Sequence, residues 1–141
     1  MRTVDVEIPS DIGQIERVVD LVQRECAELA YAPRQVSLNV PVALSEALSN
    51  AILRGNGEDP EKQVRVRARV DDRELVVEVE DEGEGFDLTE CTSHDPTCPE
   101  NLENEQGRGL FLMQRLMDCV ERKRSPEGGG NIVRMTLRRA S

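Results

Sequence analysis

The stretch Glu46-Ala-Leu-Ser-Asn50 is the most informative part of this chain. It places a carboxylate and a carboxamide four residues apart, so both side chains project from one face of a helix. A carboxylate can accept a proton, and an amide oxygen can coordinate a hard cation. Two glycine clusters follow, first Asp81-Glu-Gly-Glu-Gly85 and then Gly107-Arg-Gly109. In this order the three motifs favour a nucleotide-binding site.

The spacing of apolar residues predicts the elements that carry these motifs. Strict alternation predicts strands, and a 3-4 spacing predicts helices. We expect the second helix to begin near Asn39, with Pro41 in its first turn, and to end at Gly55-Asn-Gly57. The other predicted elements are a strand over 4–8, a helix over 12–29, a hairpin over 63–80, a helix over 110–117 and a strand over 132–137. This pattern predicts an α+β fold, a two-layer sandwich of one mixed, mostly antiparallel sheet with helices on one face.

Length and charge limit the possible functions. The chain has 141 residues, which fits one domain over residues 1–141, and a net charge of −10. That charge repels a phosphate backbone, so we expect no direct binding of nucleic acid. No uninterrupted apolar run approaches about 20 residues and no signal peptide is evident, so neither a membrane span nor export is expected. A cytoplasmic protein with reduced cysteines follows from these features.

Each glycine motif has a chemical and a purely structural interpretation. Asp81 ends a strand, and its carboxylate can accept a hydrogen bond from an exocyclic amine such as that of adenine, while Gly83 and Gly85 permit close approach of a flat ligand. Gly107 and Gly109 open a helix whose free N–H groups can bind phosphate, and Arg108 can add a charged donor. Taken singly, the motifs could be a strand-ending turn and a glycine-rich helix start.

Together these motifs resemble the N, G1 and G2 boxes of the GHKL (Bergerat-fold) ATPases. Within that family, Glu46–Ile52, Asp81–Asp87 and Gly107–Met113 resemble the anti-sigma factor serine/threonine kinases of the RsbW and SpoIIAB type. The run from Pro96 to Leu102 is similar to an ATP lid, which the resemblance extends over about residues 87–106. The resemblance covers nearly the whole chain.

The resemblance implies a role for each motif residue. Asn50 would bind the Mg²⁺ that bridges the ATP phosphates, and Glu46 would be the catalytic base for a substrate Ser or Thr hydroxyl. Asp81 would recognise the adenine amino group, with Gly83 and Gly85 shaping the pocket. The phosphates would be bound by Gly107, Arg108 and Gly109. The implied partners are a STAS-domain anti-sigma antagonist as substrate, a sigma factor, and a second copy of the chain in a homodimer.

The sequence departs from the family pattern at two places. Leu53-Arg54 replaces a Lys-His pair that often follows the N box, and Gly130-Asn131 replaces a Gly-Thr pair before the last strand. Three other functions therefore stay open, of which the first two share the ATP site. One is a noncatalytic ATP-dependent module that only binds a partner, and another is a kinase switch whose target is not a sigma factor. The third is a metal-stabilised interaction domain that uses Cys91, His94 and Cys98, although zinc prefers four closely placed ligands.

Overall fold

A computed structural model describes residues 1–83, 105–124 and 130–140, with the backbone alone for residues 105–110. A short 3₁₀ turn over Ile12–Gln14 leads into the first α-helix. The Asp11 side chain caps this 3₁₀ turn by accepting a hydrogen bond from the Gly13 N–H at 2.9 Å. Within the described part, the elements in chain order are β1 (Arg2–Pro9), α1 (Ile15–Glu28), α2 (Val40–Asn50), β2 (Gln63–Val70), β3 (Glu74–Glu80), α3 (Glu105–Leu116), β4 (Cys119–Arg124) and β5 (Asn131–Arg138).

The five described strands form one sheet in the order β1-β2-β3-β5-β4. Every pairing among them is antiparallel. The predicted α+β sandwich is confirmed, and this part of the sheet is wholly antiparallel. Alternate strand residues such as Val66, Val77 and Met135 are buried with the apolar faces of α1, α2 and α3 in one core.

The opposite face of the sheet carries charged side chains, as the alternation of Arg and Glu predicted. Arg65 forms an ion pair with Asp5 at 3.0 Å, and Arg67 forms one with Glu80 at 3.1 Å. These side chains are largely exposed, and exposed pairs of this kind contribute roughly 0–1 kcal/mol each. The charged residues of these strands therefore form a sheet face with ion pairs across neighbouring strands.

The second helix is preceded by further helical backbone. The α-helix α2 begins at Val40, with Asn39 at its N-cap and Pro41 in its first turn as predicted, but helical backbone is continuous over Gln35–Gly55. Two π-helical segments, Gln35–Asn39 and Ala51–Gly55, flank α2. Pro41 has no N–H and its ring clashes with the carbonyl four residues earlier in a regular α-helix. The wider π-helical turn before Pro41, with the Val40 N–H bonded to the Gln35 carbonyl, lets the helix continue through this position.

This continuous helix is long and apolar enough to pass a length-and-composition test for a membrane span. The helix is not an uninterrupted apolar run, since its 21 residues include polar and charged ones such as Asn39, Glu46 and Arg54. Its residues Leu44, Leu48 and Ile52 are fully buried in the core with α1 and the sheet. A buried helix at the centre of a folded domain meets the same test, and that is the arrangement of this helix.

Candidate functional site

Asp81 lies directly after β3, on the face of the sheet that the helices cover. Asp81 is only 8% exposed. One carboxylate oxygen, Oδ1, accepts hydrogen bonds from the Gly83 N–H at 2.9 Å, the Asn131 side-chain amide at 3.2 Å and the Asn131 N–H at 3.3 Å. All three of these bonds go to Oδ1, and no described residue donates to Oδ2, which has the capacity to accept a hydrogen bond from a ligand.

Burial raises the pKa of Asp81 above its ordinary value, since it disfavours the charged carboxylate. The hydrogen bonds from Gly83 and Asn131, and the positive charge of Arg122, act in the opposite direction. A largely buried carboxylate that is held by hydrogen bonds to one of its oxygens is an acceptor with a defined direction. This is the arrangement expected of a group that recognises an amine donor.

Glycines surround Asp81 because the backbone approaches it closely. A Cβ atom on Gly55 would overlap the Asp81 carboxylate, and one on Gly83 would overlap the Gly55 carbonyl. On the other side, a Cβ atom on Gly130 would overlap the Asp81 carbonyl. The end of the long helix and the two strand ends therefore meet at Asp81, and any larger residue would separate them. Sequence reasoning assigned Gly55 and Gly130 no part in the site.

Asn56 joins the end of the long helix to neighbouring segments by hydrogen bonds, a role that sequence analysis did not predict. It is 3% exposed, and its Oδ1 accepts a hydrogen bond from the Glu82 N–H at 2.7 Å. Its Nδ2 donates to the Ser10 hydroxyl at 2.9 Å and to the Gln63 carbonyl at 3.0 Å. The side chain thus connects the segment after β1, the end of the helix and the segment after β3. Asn56 helps to position Asp81 because it accepts a hydrogen bond from the N–H of Glu82, the next residue.

Glu46 and Asn50 lie on α2, one turn apart and both partly buried, as predicted. Among the described residues, Asn50 Nδ2 is buried without a hydrogen-bond partner. Such an orphaned amide is costly unless a ligand or water completes it. Rotation of the amide by half a turn would present Oδ1, a hard oxygen ligand, at the same place. Glu46 and Asn50 therefore fit a site for a cation such as Mg²⁺ beside an anionic ligand.

Arg122 is a further charged residue near Asp81, and it was not predicted as part of the site. It pairs with Val133 across β4 and β5, on the face of the sheet that the helices cover. Burial lowers the pKa of its guanidinium to about 10, and the negative charge of Asp81 opposes that shift. Its Nη1 is buried without a hydrogen-bond partner in the described part of the structure.

The third motif is only partly described. α3 begins at Glu105, so Gly107 lies among its first four residues, whose N–H groups have no partner within the helix. Gly109 is the fifth residue of the helix, one position beyond that set. The Arg108 side chain, Gly85 and nearly all of the predicted lid over 87–106 lie outside the described residues. The alternative zinc ligands Cys91, His94 and Cys98 lie there too; in the described ranges, no group of three or more His, Cys, Asp or Glu residues is placed to hold a metal ion.

The two departures from the family pattern have different structural consequences. Leu53 is 42% exposed and Arg54 is also exposed, so neither occupies the core. Asn131, in contrast, donates to Asp81 from both its backbone and its side chain. The residue that replaces the threonine of the family pattern is therefore hydrogen-bonded to Asp81 through its amide.

Comparisons with known proteins agree with this geometry. Residues 8–137 match the family described as the histidine kinase-like ATPase domain. An anti-sigma F factor of Heyndrickxia coagulans is 37% identical over 65% of this chain and 63% of its own length. The serine-protein kinase RsbW of Bacillus subtilis is 34% identical over 83% of this chain and 75% of its own length. The crystal structure of the RsbU and RsbW domains of a Mycobacterium tuberculosis protein has a TM-score of 0.69 at 16% identity, over all of this chain and 33% of that one, which supports the fold.

The family match covers most of the chain, and it includes the segments that carry Glu46, Asn50 and Asp81. The chain belongs to the histidine kinase-like ATPase family, and within it to the group that includes RsbW and the anti-sigma F factors. The resemblance noted in the sequence is therefore confirmed. The chain spans 63% of the length of the Heyndrickxia coagulans relative and 67% of that of a second anti-sigma F factor, from Caldanaerobacter subterraneus.

Proposed function

We propose that this chain is a Mg-ATP-dependent serine/threonine protein kinase and anti-sigma factor. Its substrate would be a Ser or Thr of a STAS-domain anti-sigma antagonist, and its other partner would be a sigma factor that it sequesters. The observation that carries the proposal is the position of the buried Asp81, which packs against the end of the helix that bears Glu46 and Asn50. Its Oδ1 accepts hydrogen bonds from Gly83 and Asn131, and no described residue donates to its Oδ2.

The long helix supports one orientation of the nucleotide. Gly55, against which Asp81 packs, is five residues after Asn50 and nine after Glu46. At a rise of about 1.5 Å per residue, Glu46 lies roughly 13 Å along the helix from the Asp81 end. An extended nucleoside triphosphate with its base at Asp81 would reach Asn50 and then Glu46 with its phosphates. The adenine amino group would donate to Asp81 Oδ2.

Mg²⁺ fits the donor set at the phosphate end. Asn50 would hold the ion through its amide oxygen, which accounts for its orphaned buried amide. When bound, the ion would neutralise charge on the phosphates. The N–H groups at the start of α3, including that of Gly107, would bind phosphate oxygens in the manner of other helix N-termini. This local positive potential is needed because the chain has a net charge of −10.

Glu46 would act on the protein substrate. Its carboxylate would accept the proton of the attacking Ser or Thr hydroxyl, and the remaining residues would hold the reacting groups in line. Phosphoryl transfer needs mainly positioning and neutralisation of charge, which the proposed set supplies. Residues 87–106 would close over the nucleotide. The chain would act as one domain, in the cytoplasm, as a homodimer.

A kinase assay with purified components tests the proposal. Radiolabelled ATP is mixed with this chain and a candidate STAS-domain protein, such as one encoded beside it, with and without Mg²⁺. We expect label on a Ser or Thr of the STAS-domain protein, only when Mg²⁺ is present. Glu46→Gln should abolish transfer and preserve binding of ATP, whereas the matched change Glu16→Gln, at an exposed position of α1, should preserve both.

Two results would count against the kinase. Transfer at the normal rate by the Glu46→Gln protein would remove Glu46 from catalysis. Binding of ATP and of the partner by the wild-type chain, with no transfer under any condition, would instead support a noncatalytic binding module.

A further inference from the structure

Arg122 is a partly buried cation that the proposed mechanism does not use. It projects from β4 toward the helices, and its Nη1 finds no hydrogen-bond partner within the described residues. A buried charged donor without a hydrogen-bond partner is costly, and such groups are rare in native proteins unless they have a functional role. Arg122 therefore points to a hydrogen-bond acceptor that the folded chain does not itself supply.

The sheet register brings Arg122 close to Asp81. Arg122 pairs with Val133 on β5, and Val133 pairs with Val79 on β3. The next inward-facing position along β3 is Asp81, whose N–H donates to the Asn131 carbonyl at 2.9 Å. Arg122 and Asp81 thus occupy neighbouring rows on the same face of the sheet, two strands apart. Their charges are close enough for each to influence the other.

The hydrogen bonds of Asp81 argue against a simple ion pair. Its Oδ1 accepts from Gly83 and Asn131, and within the described residues neither carboxylate oxygen accepts from Arg122. Within the described residues, no hydrogen bond goes to Asp81 Oδ2, and Arg122 Nη1 is a buried donor that has no partner. An acceptor beside a donor is complementary to the edge of a 6-aminopurine, which presents its amino group beside a ring nitrogen.

We propose that Arg122 is a base-recognition residue, which donates a hydrogen bond to a ring nitrogen next to the amino group of the bound adenine. This inference rests on the proposed nucleotide site, and it adds a second specificity contact there. Because the guanidinium is charged, the hydrogen bond is stronger than a neutral one. Arg122 also offsets the charge of Asp81, so the two side chains can share a partly desolvated pocket.

The test compares ADP with two analogues. The amino group of adenine lies between ring nitrogens N1 and N7; 1-deaza-ADP lacks N1 and 7-deaza-ADP lacks N7. Binding is measured by isothermal titration calorimetry with Mg²⁺. We expect wild-type protein to bind one of the two analogues about tenfold or more weakly than ADP. Arg122→Met should weaken binding of ADP by about tenfold to a hundredfold and should remove the preference for ADP over that analogue.

The matched control is Lys123→Met, since Lys123 is the next residue of β4 and points to the exposed face. It should leave the affinity for all three nucleotides unchanged. The analogue comparison on wild-type protein needs no variant, so it stays decisive if Arg122→Met does not fold. Equal affinity of wild-type protein for ADP and both analogues would overturn the inference, as would a preference that persists in Arg122→Met.

These outcomes separate the inference from the proposed function. Absence of ADP binding to wild-type protein would remove the nucleotide site itself, and the role of Arg122 with it. Normal ADP binding with no effect of Arg122→Met would remove only the role of Arg122. Loss of ADP affinity with the analogue preference intact would place the contact elsewhere on the nucleotide and would also overturn base recognition.

Discussion

Replacement of Gly55 by alanine is the most revealing test of how the site is built. The new methyl group would overlap the Asp81 carboxylate, so the side chain or the end of the helix would have to move. Such overpacking costs typically about 1–3 kcal/mol. Because Gly55 is the last residue of a helical segment, the higher helix propensity of alanine offsets up to about 1 kcal/mol of this loss of stability. We therefore expect a net loss of stability of roughly 0–3 kcal/mol.

Nucleotide binding should weaken in addition to the loss of stability. Displacement of Asp81 removes the defined direction of its open oxygen, so the affinity for ADP should fall at least about tenfold, which corresponds to about 1.4 kcal/mol. Urea denaturation gives the stability and calorimetric titration gives the affinity. Both are measured at one Mg²⁺ concentration.

Gly57→Ala is the matched control, two residues further on. Gly57 has a φ of +60°, and no atom lies within 4 Å of its ideal Cβ position. An alanine there should cost about 1–2 kcal/mol of stability from the left-handed backbone, and the affinity for ADP should not change. The reasoning is refuted if Gly55→Ala binds ADP as tightly as wild-type protein, or if Gly57→Ala loses as much affinity.

Three further predictions concern other parts of the structure. Asn50→Ala should weaken ADP binding in the presence of Mg²⁺ but not in excess EDTA, as measured by titration under both conditions; equal weakening in both would exclude a metal ligand. Asn56→Ala should lower the free energy of unfolding by about 2–4 kcal/mol, against about 1 kcal/mol for Ser10→Ala, because it leaves several buried groups unsatisfied; a loss no larger than that of Ser10→Ala would contradict the bridging role. The pKa of Asp71 is lowered by hydrogen bonds from the backbone N–H groups of Glu74 and Arg73, so its stabilising effect is present above its unfolded pKa and is lost as the pH falls through the lowered one. Thermal melts of wild-type protein and Asp71→Ala should therefore converge below about pH 4, and a gap that is constant with pH would be inconsistent with this.

The sequence predicted the sheet and its faces well, because alternation has only one interpretation when one face is buried. The strand containing Val64 and Val66 and the strand containing Val77 and Val79 were correctly expected to form a hairpin with the charged residues outside. The start of α2 near Asn39 was predicted, but the helical segment before it was not, because a proline normally marks a first turn. A π-helical turn before Pro41 has no distinct sequence signature.

The site was predictable only where its residues belong to local motifs. Glu46 with Asn50, and Asp81 with Gly83, are close in sequence and could be recognised from spacing. Their assigned roles remain predictions. The contributions of more distant residues depend on the sheet register and on close packing between separate segments. Examples are Asn56, which bridges three segments, and Arg122, which reaches the pocket from an edge of the described sheet.

The most direct measurement for the central claim is calorimetric titration of ADP and ATP, with Mg²⁺, into wild-type protein and Asp81→Asn. The asparagine keeps the oxygen that accepts from Gly83 and replaces the open acceptor Oδ2 by an amide donor, which repels an adenine amino group. We predict saturable binding of one nucleotide per chain by wild-type protein and no detectable binding by Asp81→Asn. No heat of binding to wild-type protein, or equal affinity in the two proteins, would contradict a nucleotide site at Asp81.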